Sequence, residues 1–105
     1  MTIDALSRRV RAEGGFATML ARGDDQAGAI LLVCLERGRF VKLLERTLDS
    51  AGAYRWTACG PQDVESYESR DAYIARRRSI DPDLWLMELD IADAERFAAE
   101  MSYSG

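Results

Sequence analysis

The run Ile30-Leu31-Leu32-Val33-Cys34-Leu35 is apolar on both of its alternating faces, with Ile30, Leu32 and Cys34 on one and Leu31, Val33 and Leu35 on the other. Side chains alternate across a strand, so a strand of this kind exposes apolar surface on whichever side is left bare. It is expected at the centre of a sheet that is covered on both faces, and it is drawn from Ala29 to Leu35. Glu36-Arg37-Gly38 then supplies a tight hairpin into a strand over Arg39 to Thr47. Asp49-Ser50-Ala51-Gly52 turns the chain into another strand, Tyr54 to Cys59, which Gly60-Pro61 ends.

Upstream of the central run, Ile3, Leu6 and Val10 recur at helical spacing, and Gly14-Gly15 supplies a stop, predicting a helix over Asp4 to Glu13. Phe16 to Ala21 reads as the first strand. The turn-rich stretch Arg22-Gly23-Asp24-Asp25-Gln26-Ala27-Gly28 separates it from the central one. Downstream, Asp63 or Ser66 can cap a helix running to Arg78. Asp81-Pro82-Asp83 turns into a fifth strand, Leu84 to Asp90, and Asp93 can cap a short last helix carrying Ala94, Phe97, Ala98 and Met101. The expected fold is α+β: an antiparallel four-strand meander plus a fifth strand, layered by two main helices and a short C-terminal helix. Residues 1–105 are read as a single domain. Three modest helices leave part of such a sheet bare, so either the sheet curls or a second subunit covers the rest. A homodimer is the simpler expectation, two-fold dimers being the commonest soluble oligomers.

Composition narrows the chemistry. The chain has 105 residues, 48% hydrophobic and 30% charged, which is enough to build a core and argues against disorder. It contains no histidine, so a His-assisted nucleophile, a His general base and a His-containing zinc site all fall away within this chain. Cys34 and Cys59 are too few for a four-cysteine zinc site and are read as reduced thiols. A formal charge of −4 opposes general affinity for phosphate backbones. No apolar stretch approaches a membrane span, and Met1-Thr2-Ile3-Asp4 lacks a secretion-signal plan, so a cytoplasmic location is expected. No cofactor and no metal are expected. The partners expected are a second copy of the chain and a further protein not identified by sequence; neither membrane nor nucleic acid is expected.

The candidate polar site is Asp71, Arg78, Asp81, Asp83, Trp85 and Glu88. Clustered carboxylates beside an aromatic could hold Mg²⁺ or Ca²⁺, yet Asp before Pro favours a turn and Asp83 can satisfy backbone donors there. With Tyr67 as the centre of the helix's apolar stripe, Ile74 and Arg78 fall within roughly 20° of it and Asp71 within roughly 40°. This phase turns Arg78 toward the protein, to pair with Asp71, Asp81, Asp83 or Glu88, and turns Arg76 toward water. Three successive arginines fan around a helix, so they do not form one nucleic-acid patch. Trp56 and Trp85 are expected as core or interface anchors. The leading reading is a non-enzymatic dimeric interaction module. The alternative is a small ligand-binding protein or enzyme using an Arg/carboxylate pocket at the Asp81 to Glu88 turn and strand.

The opening amphipathic helix ending near Gly14, the turn Gly23-Asp24 leading to Gly28-Ala29-Ile30-Leu31, Trp56, and Arg76-Arg77-Arg78 before Asp81-Pro82-Asp83-Leu84-Trp85 with Glu88 resemble the domain of unknown function 1491 family of short alphaproteobacterial proteins. The resemblance spans nearly the whole chain, and the Asp-Pro-Asp-Leu-Trp turn is its most specific part. It implies a small bacterial cytoplasmic protein, with no activity, cofactor or catalytic residue to carry over.

Overall fold

The computed structural model describes residues 2–24, 29–48, 50–60 and 67–96. Helix α1 (Thr2–Ala12) is followed by strands β1 (Phe16–Ala21), β2 (Ile30–Glu36), β3 (Arg39–Leu48) and β4 (Tyr54–Cys59), helix α2 (Tyr67–Ile80) and strand β5 (Trp85–Asp90). A short helical stretch at residues 94–96 follows, where the Arg96 amide donates to the Asp93 carbonyl at 2.9 Å. The expected positions of Gly28, Asp63, Ser66, Phe97, Ala98 and Met101 lie outside the described residues.

The fold is α+β with one five-stranded sheet in the order β1-β5-β2-β3-β4. One part of the expected topology is corrected. The meander holds for β2, β3 and β4, but β5 inserts between β1 and β2, antiparallel to the first and parallel to the second, which makes the sheet mixed. The reason is burial. Leu84, Trp85, Leu86 and Met87 are all buried, whereas Phe16 on β1 is 72% exposed. The strand that is apolar on both sides takes the inner place, and β1 goes to the edge. A parallel pair needs a crossover, and α2 between β4 and β5 provides it.

β2 occupies the centre as expected, with Ile30 to Cys34 all buried. On one face of the sheet, Ile3, Leu6 and Val10 of α1 pack against Ile30, Leu32, Trp85, Met87 and Leu89. On the other, Tyr73 and Ile74 of α2 pack against Leu31, Val33, Leu43, Leu84 and Leu86. Each fully buried Leu or Ile contributes about 1.5–3 kcal/mol relative to exposure, so these two layers dominate the folding energy. Gly14, at φ +88°, ends α1 in the left-handed conformation, and the Gly15 amide donates to the Val10 carbonyl at 2.9 Å. No helix among the described residues is long and apolar enough to cross a membrane.

Candidate functional site

The buried stripe of α2 is set by Tyr73, Ile74 and Arg77, with Arg70 one turn before. This corrects the expected helix phase by one position: Arg77 faces the protein, and Arg78 is exposed, as is Arg76. Arg77 donates one guanidinium nitrogen to the Tyr73 hydroxyl at 2.8 Å and another to the Glu45 carboxylate on β3. The Glu45 bond holds the Arg77 pKa well above the ordinary arginine value, although burial opposes it. Tyr73 also meets the half-buried Cys59 thiol at the end of β4, and burial raises the pKa of both groups. The thiolate is the reactive form of cysteine, so this thiol is poorly suited to nucleophilic work. Cys34, buried against the α1 layer, is pushed up to about 12 by desolvation and is less suited still.

The acidic turn is built as a strut. The Asp81 amide caps onto the Arg77 carbonyl at 2.9 Å, ending α2, while the Asp83 amide donates to Asp81 Oδ1 at 3.1 Å and the Leu84 amide to the Asp81 carbonyl at 3.2 Å. Asp81 therefore spends its side chain on its own turn. The turn in turn holds the exit of β1: the Asp24 amide donates to the Asp83 carbonyl at 3.0 Å, and Trp85 Nε1 donates to the Asp24 carbonyl at 2.8 Å. Trp85 is buried at 3% exposure, so its indole serves as the core anchor expected of it. Arg22 lies over its ring at 5.9 Å from the centroid.

Of the six candidate residues, the structure thus joins Asp81, Asp83 and Trp85 and disperses the others. Asp71 is exposed and pairs with its neighbour Arg70 at 3.3 Å. Glu88 lies on β5, opposite Val33 of β2 and Thr18 of β1. At about 3.3 Å per strand residue it stands roughly 16 Å from Asp83. Neither Arg78 nor Glu88 has an ion-pair partner among the described residues. Those residues contain no group of three or more side chains placed to hold a metal ion. Trp56 is half-buried and packs against the α1-side core, with its buried Nε1 lacking a hydrogen-bond partner among the described residues.

One organising carboxylate was missed. Asp90 accepts the amides of Arg37 and Gly38, each at 2.9 Å, across more than fifty residues of sequence. Both residues have positive φ, 53° and 78°, as a two-residue type I′ hairpin requires. The β2–β3 turn is therefore clamped to the end of β5. No local pattern reveals this, because the pairing exists only once β5 lies beside β2. Asp90→Ala is expected to cost about 1–2 kcal/mol by orphaning two amides at a partly exposed site. Hydrogen exchange at Arg37 and Gly38 should accelerate in that variant; unchanged protection would mean the carboxylate is dispensable to the turn.

Residues 1–99 match the family model described as a protein of unknown function, DUF1491. A crystal structure of a DUF1491 family protein from Caulobacter crescentus is similar to this chain at 32% identity and a TM-score of 0.77, covering 90% of this chain and 88% of that one. An NMR structure of a DUF1491 family protein from the same organism gives 33% identity and a TM-score of 0.71, with 90% and 86% covered. The solution structure of protein Atu0922 from A. tumefaciens is similar at 30% identity and a TM-score of 0.73, covering 89% and 84%. The search of curated proteins gave no match.

Proposed function

We propose that this chain, which belongs to the DUF1491 family of proteins of unknown function, acts in the cytoplasm as a single-domain, non-enzymatic interaction module that pairs with a second copy of itself. The observation that carries the reading is a pair of apolar side chains left exposed on the edge strand β1: Phe16 is 72% exposed and Leu20 47%. Single exposed apolar residues are ordinary, but two on one edge strand beside an incompletely covered sheet face favour association. The polar groups point the same way. Arg77, Glu45, Tyr73, Asp81 and Asp90 are each engaged with one another or with backbone groups, so they serve the fold. The missing histidine removes the commonest acid–base plans.

Sedimentation equilibrium across a wide concentration range tests the reading. The mass of two chains is expected at micromolar concentration, dissociating on dilution. The mass of one chain throughout would overturn it.

A further inference from the structure

A groove of about 470 Å³ runs between α1 and the edge strand β1, a size within the range of small-molecule sites, about 300–1,000 Å³. Its helix wall follows from the sequence. Ile3, Leu6 and Val10 face the sheet, while Asp4, Ser7 and Arg11 lie together on the adjacent flank, within about 60° of one another on an ideal helix. Ala17 on β1 is small, so the flank does not close onto the strand. The floor is apolar: Met87 is buried, Met19 is half-buried, and Ile3 is buried beside them.

The two arginines of the groove are held in place without being neutralised. Arg11 donates one guanidinium nitrogen to the Ala17 carbonyl at 3.0 Å, and Arg22, just past the end of β1, lies over the Trp85 ring at 5.9 Å from its centroid. Neither has an ion-pair partner among the described residues. An arginine carries five N–H donors, so Arg11 keeps most of its own for a further acceptor.

The charges are also unequally placed. The Gly14-Gly15 turn sends β1 back along α1, which puts Arg11 at the Ala17 end of the groove. Asp4, seven residues earlier, stands about 10 Å along the helix toward Arg22. It is the one carboxylate among the described lining residues, and it offsets the charge of Arg22. The Arg11 end stays positive, in a chain whose formal charge is −4.

We infer that this groove binds an amphipathic carboxylate, with the carboxylate at Arg11 and the Ser7 hydroxyl and an alkyl body lying on Met19 and Met87 toward Arg22. Two features select this class. A guanidinium already fixed by a backbone carbonyl offers charge-assisted hydrogen bonds to a planar anion at little further entropic cost. Methionine is flexible and polarizable, so a methionine floor adapts to an alkyl chain. Asp4 at the far end disfavours a second anionic group there, which sets a monocarboxylate above a dicarboxylate. The site lies within one chain and is independent of self-association.

The test is a nuclear magnetic resonance titration of the isotope-labelled chain with octanoate. Saturable shifts are expected at the amides of Ser7, Arg11 and Met19 and at the Met19 and Met87 methyls, with a dissociation constant on the order of 0.1–1 mM. Acetate, which has the charge without the chain, and octanol, which has the chain without the charge, are each expected to bind at least about tenfold more weakly. Arg11→Gln is expected to weaken octanoate binding about tenfold and Arg22→Gln less than about threefold. Both arginines are exposed, so both variants keep the fold, which circular dichroism checks. No saturable shift, or shifts confined to other surfaces, overturns the site. Acetate binding as tightly as octanoate means an adventitious ion only and overturns the apolar half. Octanol binding as tightly, or indifference to Arg11→Gln, overturns the recognition of an anion. A larger loss from Arg22→Gln than from Arg11→Gln overturns the placement of the carboxylate.

Discussion

Replacing Gly23 by Ala is expected to lower stability by about 3–5 kcal/mol, more than the same change at any other described glycine. A methyl carbon built there would stand 2.0 Å from the Asp83 carbonyl oxygen, 2.7 Å from Trp85 Cδ1 and 2.8 Å from the Trp85 amide nitrogen. Two of those neighbours are backbone atoms, so rotating a side chain gives no relief. The chain must instead part at the contact where the Asp24 amide meets the Asp83 carbonyl and Trp85 Nε1 meets the Asp24 carbonyl. Each of these hydrogen bonds contributes about 1 kcal/mol, and shifting a buried tryptophan adds the packing loss. Gly38→Ala is the control. Its φ is +78° but no atom lies within 4 Å of the added carbon, so only the left-handed strain of about 1–2 kcal/mol applies. Urea midpoints of the two variants decide the matter, and equal losses would show that Gly23 is kept for its backbone freedom.

That contact illustrates how much of the fold is legible in one sequence. Periodicity and turn residues locate each element, since α1, β1 and β4 follow from Ile3, Leu6 and Val10, from Gly14-Gly15, and from Gly60-Pro61. The two-sided burial of β2 follows from Ile30 to Leu35 alone. Strand order is harder, because it depends on competition between strands for the interior. Here a usable signal lay in Leu84-Trp85-Leu86-Met87, a run as apolar on both faces as the central one. Such a strand belongs inside the sheet, and Phe16 to Ala21, broken by Thr18, belongs at its edge. The long-range clamps carry no comparable signal. Asp24 meets Trp85 through its backbone carbonyl, which any residue supplies, and the Asp90 carboxylate at the end of β5 meets the Arg37-Gly38 turn, so both clamps join residues far apart in sequence without a local pattern. The candidate site was legible in part: Asp81, Asp83 and Trp85 do form one turn, for the local reason that Asp-Pro-Asp favours one. Arg78 departs from its expected place because the inward stripe of α2 follows Tyr73, Ile74 and Arg77 and does not centre on Tyr67, and one residue of phase moves a side chain by about 100°.

The phase has an energetic consequence that separates neighbouring arginines. Arg77→Ala is expected to cost about 2–3 kcal/mol, since it strips Glu45 and Tyr73 of a shared donor at a site where both charged side chains are roughly three-quarters buried. Partial solvent access keeps the loss below that of a fully desolvated pair. Arg78→Ala, in an isolated chain, is expected to cost under about 0.5 kcal/mol as a surface change. Both are measured at dilutions where self-association is absent, so that only the fold is read. Arg77→Lys is a sharper probe than removal of the charge. The ammonium can reach Glu45 or Tyr73 but lacks the planar fork that serves both, so recovery should be partial. Combining Arg77→Ala with Glu45→Gln should then cost less than the sum of the two, by about 1 kcal/mol or more, as contacting partners do. Strict additivity would mean that the Arg77 to Glu45 contact contributes nothing in solution. Equal losses from Arg77→Ala and Arg78→Ala would place the inward face of α2 between the two residues.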